Sequence, residues 1–379
     1  MRRILYLISD TGGGHRASAR AIVATMKMVE KEPNVHEIVD VFTLGRPFVN
    51  FLFGKSYGPM IKKTPWLYQF IFFLFNNDFV FHFAFNVNYY LLGPRLAKYI
   101  ADFKPDVIVS LHPLVNHLVV CALREDGQLG KIPVLTFVLD PITLHRSWVC
   151  PDVDRLIVAT PEAKQLTISY GMPAEKIDII GLPVDPRFSQ PSQSKEQIRK
   201  ELALQENLFT ILIMGGGDGI GNMEKFVKGL YSSGLPIQLI VVCGRNKELQ
   251  ESLDEMSKEE VMPMKILGYT QDVPDLMSAS DLLLTKAGPG SVAEALLKEL
   301  PLIIMSYVPG QEEGNVRWAE MEHFVKLVKD PTDIGDVVET LMEGPELNKM
   351  RESMQKLRRP GATLEIVHLI LDYANGKRK

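Results

Sequence analysis

The sequence predicts an α/β protein made of two doubly wound parallel sheets, and three observations point to it. Short β-branched or Leu-rich runs alternate with longer amphipathic segments, the pattern of parallel strands joined by crossover helices. That alternation occurs twice, on either side of a stretch from Gly181 to Ser194 where Pro, Ser and Gln gather and neither period continues. A length of 379 residues, at roughly 100 to 200 residues per domain, suits two domains with a core in each. Two open sheets joined in this way are expected to face each other across a cleft, with ligands beyond the carboxyl ends of the strands.

Taken in order, residues 3–8 (RILYLI) read as a buried strand that stops at Ser9-Asp10 and enters a glycine run. The segment after His15 reads as a helix, with Ala17, Ala21, Ala24 and Met28 spaced four, three and four apart on one face suited to a sheet. Further strands are expected near 35–41, 106–110, 132–138 and 154–159. Between the second and third lies an unusual region: of the 18 Phe in the chain, 12 fall between Phe42 and Phe85, and Asp78 is the only charged residue from Thr64 to Pro94. A spanning helix needs about 20 continuous apolar residues, and Gln69, Asn76, Asn77, Asp78, Asn86 and Asn88 interrupt this run. Interfacial helices over about 45–100 are therefore expected, against the alternative of a Phe-rich core subdomain. In the second half, strands are expected near 208–214, 237–243, 264–268, 281–285, 301–305 and 324–328. The expected division is an N-terminal domain over 1–181, a C-terminal domain over 182–360, and a final helix in 361–379 that packs back on the first domain.

Composition narrows the function. With 46% apolar and 23% charged residues, the chain is an ordinary globular protein. Cys121, Cys150 and Cys243 are far apart with no CxxC pair, which supplies neither a disulfide framework nor a structural zinc site and predicts a reducing compartment. The net charge of −4 is split: residues 1–180 carry 19 Lys+Arg against 16 Asp+Glu, and residues 181–379 carry 23 against 30. No strong basic excess exists for nucleic acid, and the small surplus in the first half permits contact with an anionic membrane. The N-terminus shows no cleavage-site pattern, so no targeting peptide is expected.

The chemistry-bearing motifs lie in the loops after strands. Ser9-Asp-Thr-Gly-Gly-Gly-His-Arg-Ala-Ser18 follows a strand and opens a helix. Gly12, Gly14 and Ala17 satisfy the G-x-G-x-x-A dinucleotide form, with Asp40 at a ribose-binding distance, so an NAD(P)-dependent enzyme is one reading. His15 argues against it, because it stands where a pyrophosphate would approach bare backbone. A histidine at a helix start is placed as a base, its pKa lowered by the positive end of the helix dipole; a helix cap is the simpler alternative. In the second half, Gly215-Gly-Gly-Asp-Gly-Ile-Gly221 turns backbone N–H groups toward an anion at a helix start, or is merely a tight turn. Thr285-Lys-Ala-Gly-Pro-Gly-Ser-Val-Ala-Glu294 is a second such loop. There Gly288 and Gly290 flank Pro289, Ser291 is expected to cap the helix, Lys286 adds a cation, and Glu294 is placed to accept from two ribose hydroxyls. Pro309-Gly-Gln-Glu-Glu-Gly-Asn315 brings amides and carboxylates suited to sugar hydroxyls to the same edge. Asp152-Val-Asp154 has the form of a metal-binding DxD but precedes a strand in the other half, and reads as a turn.

SDTGGGHRASA, GGGDGIG, TKAGPGSVAEAL and PGQEEGN, in this order and spacing, resemble the monogalactosyldiacylglycerol synthase family of lipid glycosyltransferases, related to the peptidoglycan lipid II N-acetylglucosaminyltransferase. The resemblance covers nearly the whole chain. It implies a GT-B fold, a UDP-sugar donor in the second domain, diacylglycerol in the first, and inversion at the anomeric carbon without an obligatory metal or other cofactor, although a divalent cation is compatible as a stimulant. It implies His15 as general base. The nucleotide- and phosphate-binding set expected with it is Gly14, Gly216, Gly217, Arg245, Tyr269, Thr270, Lys286, Ala287, Gly288, Pro289, Gly290, Ser291 and Glu294, and the sugar-contacting set is Gln311, Glu312 and Asn315. Phe137 to Trp148 resembles the family's TDxxxxHxxW segment, with Leu139 and Arg146 in place of Thr and Pro; Asp140, His145 and Trp148, with Trp66, Phe70, Phe73 and Phe75 as anchors, are the expected acceptor and lipid residues. Lys55, Lys62 and Lys63 are available to anionic headgroups. Galactose is favoured over glucose because SDTGGGHRASA is closer to the plant-type galactosyl branch. A peripheral enzyme at the cytoplasmic face of a membrane is the expected setting; a catalytically inactive membrane-binding protein is the remaining alternative.

Overall fold

The structure is a computed structural model that describes residues 1–10, 13–45, 60, 64–190, 193–216, 222–259 and 262–377. Gly12, Lys55, Lys62, Lys63 and Gly217 therefore lie outside the described residues. The fold is α/β and consists of two six-stranded, all-parallel sheets, each in its own compact unit. Unit one comprises Met1–Pro186, Val308–Gly314 and Gly361–Lys379, and unit two Arg187–Tyr307 and Asn315–Pro360. Val308–Gly314 thus interrupts the expected second domain over 182–360, and 182–186 at its start also belongs to unit one.

In unit one the strands are β1 (Arg3–Ile8), β2 (Val35–Asp40), β3 (Val107–Ser110), β4 (Val134–Phe137), β5 (Arg155–Val158) and β6 (Ile177–Ile179), in the spatial order β2-β1-β3-β4-β5-β6. β6 was not expected, because three residues between a 3₁₀ turn and Gly181 are too short to show a period. β1 lies inside the sheet between β2 and β3, with Ile4, Leu5, Tyr6, Leu7 and Ile8 all fully buried, which is why its sequence is a continuous apolar run instead of an alternating one. The helix Gly14–Val29 covers the sheet with Ala19, Ala21, Ile22, Thr25 and Met26. The expected face was wrong: Ala17 is exposed and Met28 is 60% exposed. Ile22 and Met26, four apart, remove more apolar area from water than three alanines do, and they set the rotation. The helix Ala362–Ala374 buries Ile366, Val367 and Ile370 in the same core.

Unit two holds β7 (Phe209–Met214), β8 (Ile237–Val242), β9 (Met264–Leu267), β10 (Leu282–Lys286), β11 (Leu302–Ser306) and β12 (Val325–Leu327), in the order β12-β11-β10-β7-β8-β9. Its core joins Ile211, Ile213, Leu239, Val241, Leu282 and Leu284 of the sheet to Phe226, Val227 and Leu230 of the helix Met223–Ser233.

The Phe-rich region of unit one forms two helices, Pro65–Phe75 and Asp78–Phe103, the second with Pro94 inside it. Among the described residues no helix is long and apolar enough to cross a membrane. A wholly protein-facing core is also excluded there, since Trp66 is 69%, Phe70 60%, Phe73 56% and Leu74 41% exposed. Phe75 is half-buried, so Leu74 takes its place among the outward side chains.

Candidate active site

Each sheet has a switch point where the strand order reverses, between β1 and β3 in unit one and between β7 and β10 in unit two. Loops leaving two strands in opposite directions open a crevice there, the usual place for a ligand in such sheets.

In unit one the loop after β1 ends at Gly13, whose φ of 80° suits a residue without a Cβ and turns the chain into the helix Gly14–Val29. His15 is the second residue of that helix, and its Nδ1 lies 2.5 Å from the carbonyl oxygen of Leu111, just past the end of β3. A carbonyl only accepts, so Nδ1 carries the hydrogen and Nε2 keeps its lone pair. The ring packs edge-on against His112 at 4.9 Å, and His112 packs edge-on against Phe42 at 5.5 Å. Burial lowers the His15 pKa to about 4, opposed by the Leu111 hydrogen bond and the Asp10 charge. The lowering was expected, and its largest cause is desolvation by burial. His112 is held well below the usual range by burial and by His15.

This environment makes a prediction. An exposed imidazole titrates near 6.5, whereas His15 is expected to keep its Nδ1–H tautomer from pH 8 down to about 5 in imidazole-nitrogen NMR spectra. A His15 midpoint above 6 would contradict the burial described. The same shift has a stability sign. Between the unfolded pKa near 6.5 and the folded value near 4 the unfolded chain binds the extra proton, so His15 lowers stability as pH falls through that window.

Asp40 fits the dinucleotide reading poorly. One carboxylate oxygen accepts from the Phe42 N–H at 3.0 Å and the other from the Asp10 N–H at 3.4 Å, so both are engaged in shaping the loop. The Asp152-Val-Asp154 pair is also structural: Asp152 pairs with Arg124 at 2.8 Å and Asp154 accepts from the Val134 N–H at 2.8 Å.

A second cluster in unit one gathers around Asp140, in the loop after β4. The Trp148 indole N–H donates to Asp140 Oδ2 at 2.9 Å, and Gln311 also hydrogen-bonds this carboxyl. Burial raises the Asp140 pKa to about 6, opposed by the Trp148 bond and assisted by the Glu312 charge. Trp148 is only 1% exposed, so it holds Asp140 and does not offer its ring to a lipid. His145 is also turned inward. Its Nε2–H donates to the Phe72 carbonyl at 3.2 Å and its Nδ1 accepts from the Ser147 N–H at 3.2 Å, with the pKa lowered to about 4 chiefly by burial. The departure at Arg146 has a structural use, because its N–H donates to Asn76 Oδ1 at 3.1 Å and a proline would have no N–H to give. Glu312 accepts from the Val308 N–H at 2.8 Å and closes the turn made by Pro309 and Gly310.

In unit two Gly216, after β7, and Gly288, after β10, flank the switch point, and residues 217–221 of the first glycine loop lie outside the described residues. Gly216 has a φ of 75°, and a Cβ there would stand 3.6 Å from Lys286 Cε; a Cβ on Gly288 would stand 3.1 Å from Lys286 Nζ. The lysine therefore runs over both turns and brings its ammonium to the start of the helix Pro289–Lys298. Ala287 is buried, and Gly290 has open space around its Cα. The N-cap is Gly288 with no side-chain cap, so Ser291 lies within the first turn and does not serve as the expected cap. Bare N–H groups beside a cation suit an anion. Glu294 is the sixth residue of this helix and half-buried, beyond the first turn where a dipole alone explains an acid. After β8 and β9, the Arg245 guanidinium lies 5.3 Å from the centre of the Tyr269 ring, and the neighbouring Thr270 hydroxyl bonds Asp272 at 3.0 Å. Asn315 is 6% exposed in the helix Glu313–Met321.

Sequence reasoning missed Leu111, His112 and Tyr68. The His112-Pro113 pair after a strand was a signal for the first two; Tyr68, with the only hydroxyl between Trp66 and Phe75, was a signal for the third.

Comparison with known proteins agrees with these motifs. The family described as monogalactosyldiacylglycerol (MGDG) synthase matches residues 15–184, and the glycosyltransferase family 28 C-terminal domain matches residues 210–326. A probable chloroplastic monogalactosyldiacylglycerol synthase of Glycine max is 34% identical, over 97% of this chain and 70% of its own. Monogalactosyldiacylglycerol synthase 1 of Arabidopsis thaliana is 33% identical, over 97% and 70%. Among solved structures, Acinetobacter baumannii MurG aligns over 98% of this chain and 100% of its own with a TM-score of 0.61 and 16% identity. The S. aureus MnaA–UDP structure aligns over 99% and 97% with a TM-score of 0.65 and 14% identity. The structural likeness gives the two-domain GT-B architecture, and the sequence identity goes further: the chain belongs to the monogalactosyldiacylglycerol synthase family of glycosyltransferases.

Proposed function

We propose that the protein is an inverting UDP-sugar:1,2-diacylglycerol 3-β-glycosyltransferase that uses UDP-galactose. The observation that carries this reading is the fixed tautomer of His15 at the switch point of its sheet. His15 Nε2 takes the proton of the sn-3 hydroxyl as the glycerol oxygen bonds to the anomeric carbon and the bond from that carbon to UDP breaks. The proton resides on the imidazolium and then passes to solvent. The departing diphosphate gains charge, and the helix start at Gly288 with Lys286 supports its stabilisation. Glu294 takes the ribose hydroxyls, Arg245, Tyr269 and Thr270 flank the nucleotide, and Gln311, Glu312 and Asn315 meet the sugar. The names of the curated relatives support galactose as donor and diacylglycerol as acceptor. The outward aromatic face of Pro65–Phe75 supports a peripheral position on a membrane; an anionic surface on the cytoplasmic side completes the proposal.

A donor panel of UDP-galactose and UDP-glucose with diacylglycerol in anionic vesicles tests the reading. Galactolipid as the main product supports it. Glucolipid would transfer the donor assignment to glucose, and absence of both with calorimetric binding of NAD would replace it. Within the site, Lys286→Ala and Glu294→Ala are each expected to weaken UDP binding about tenfold or more in calorimetry, since hydrogen bonds to charged groups contribute about 1.5–3 kcal/mol. Unchanged affinity would remove either residue from the nucleotide site.

A further inference from the structure

The helix Pro65–Phe75 has two faces with different duties. Trp66, Phe70, Phe73 and Leu74, at spacings of four, three and one, form one exposed stripe. Tyr68 and Phe72, four apart, lie on the other side and face unit one. The Tyr68 hydroxyl donates to Gln311 Oε1 at 2.7 Å, and the Gln311 amide is also bonded to Asp140. The contact is supported along its length. Phe72 gives its carbonyl to His145, Asn76 accepts from Arg146, and Phe72 and Gln69 come so close to Gly310 that a Cβ there would meet them at 3.5 and 3.6 Å. One hydroxyl thus links an apolar surface helix to an amide in the turn at Pro309–Gly310.

We infer that Tyr68 is a positioning residue that couples seating of this helix on a lipid surface to the orientation of the Gln311 amide, and so to recognition of the donor's sugar. The inference rests on the proposed function in one respect, that Gln311 meets the sugar. Burying the stripe in a bilayer favours the rotation of the helix in which Tyr68 points at Gln311, because the opposite rotation would put the hydroxyl in the acyl region and the phenyl rings in water. With Tyr68 in place, the two ends of the amide are distinguished: the carbonyl accepts from a phenol and the NH₂ donates to a carboxylate. Without it the last side-chain torsion, which is broad for an amide, loses the donor that fixes its carbonyl end.

Calorimetry of the whole protein with UDP and with UDP-galactose tests this, with and without vesicles of phosphatidylcholine and phosphatidylglycerol that contain no diacylglycerol. For the wild type, vesicles are expected to tighten UDP-galactose about fivefold or more and to leave UDP unchanged. Tyr68→Phe keeps the ring and loses only the donor; it is expected to bind vesicles and UDP as the wild type does while its UDP-galactose affinity ignores the vesicles. Gln311→Ala is expected to lose the same response. A wild type whose UDP-galactose affinity is indifferent to vesicles, or a Tyr68→Phe variant that still responds, overturns the coupling alone. Failure of UDP-galactose to bind overturns the donor reading, and with it the role given to Gln311.

Discussion

Replacing His15 with alanine is expected to lower kcat by about 10²- to 10⁴-fold, the usual contribution of a positioned general base. UDP affinity is expected to stay within about twofold, because the nucleotide is assigned mainly to unit two and His15 belongs to unit one. The size of the effect follows from the geometry. Nδ1–H is committed to the Leu111 carbonyl, Nε2 is left as acceptor, and burial keeps the ring neutral over the whole working range. Steady-state rates with UDP-galactose and vesicle-borne diacylglycerol, beside calorimetry with UDP, check both halves of the expectation. Retention of more than a third of the activity would refute the role of His15 as base.

The triple variant Trp66→Ser, Phe70→Ser, Phe73→Ser is expected to bind anionic vesicles more weakly by about a hundredfold or more and to lose activity on bilayers in proportion. Fully burying a large apolar side chain is worth about 1.5–3 kcal/mol, and these residues leave 69%, 60% and 56% of their surface open to a membrane. Together they amount to at least about 3 kcal/mol, or about two factors of ten or more. The three rings are mostly exposed, so far-UV circular dichroism and UDP binding are expected to be unchanged. Leu74 is kept as an internal control, since its further replacement is expected to add a smaller loss. Sedimentation with vesicles at the wild-type level by a folded triple variant would place membrane contact elsewhere on the chain.

Much of the fold was legible because parallel strands buried on both faces are written as continuous apolar runs, such as Ile4–Ile8 and, in β8, 239–242. The short edge strand Ile177–Ile179 was not, since three residues cannot express a period. The rotation of the helix Gly14–Val29 was misread because spacing was weighed without side-chain size. At the site, the glycine loops and His15 were visible as residue types at strand ends, whereas partners in space were not. Nothing local to Trp148 says that its indole will bond Asp140, and nothing local to Tyr68 says that it will reach a glutamine 243 positions away. Ser291 looked like a cap because serine is a good one, but Gly288 already ends the extended chain three residues earlier.

The most direct test of the central claim is the anomeric configuration of the product, read from the proton coupling at the anomeric carbon of lipid made from UDP-galactose and 1,2-diacylglycerol. UDP-sugars carry the α-linkage, and a single displacement assisted by His15 gives a β-galactosyl lipid. An α-linked product would mean two displacements or a different attacking face, and would contradict the assignment of His15 as the base of an inverting transfer.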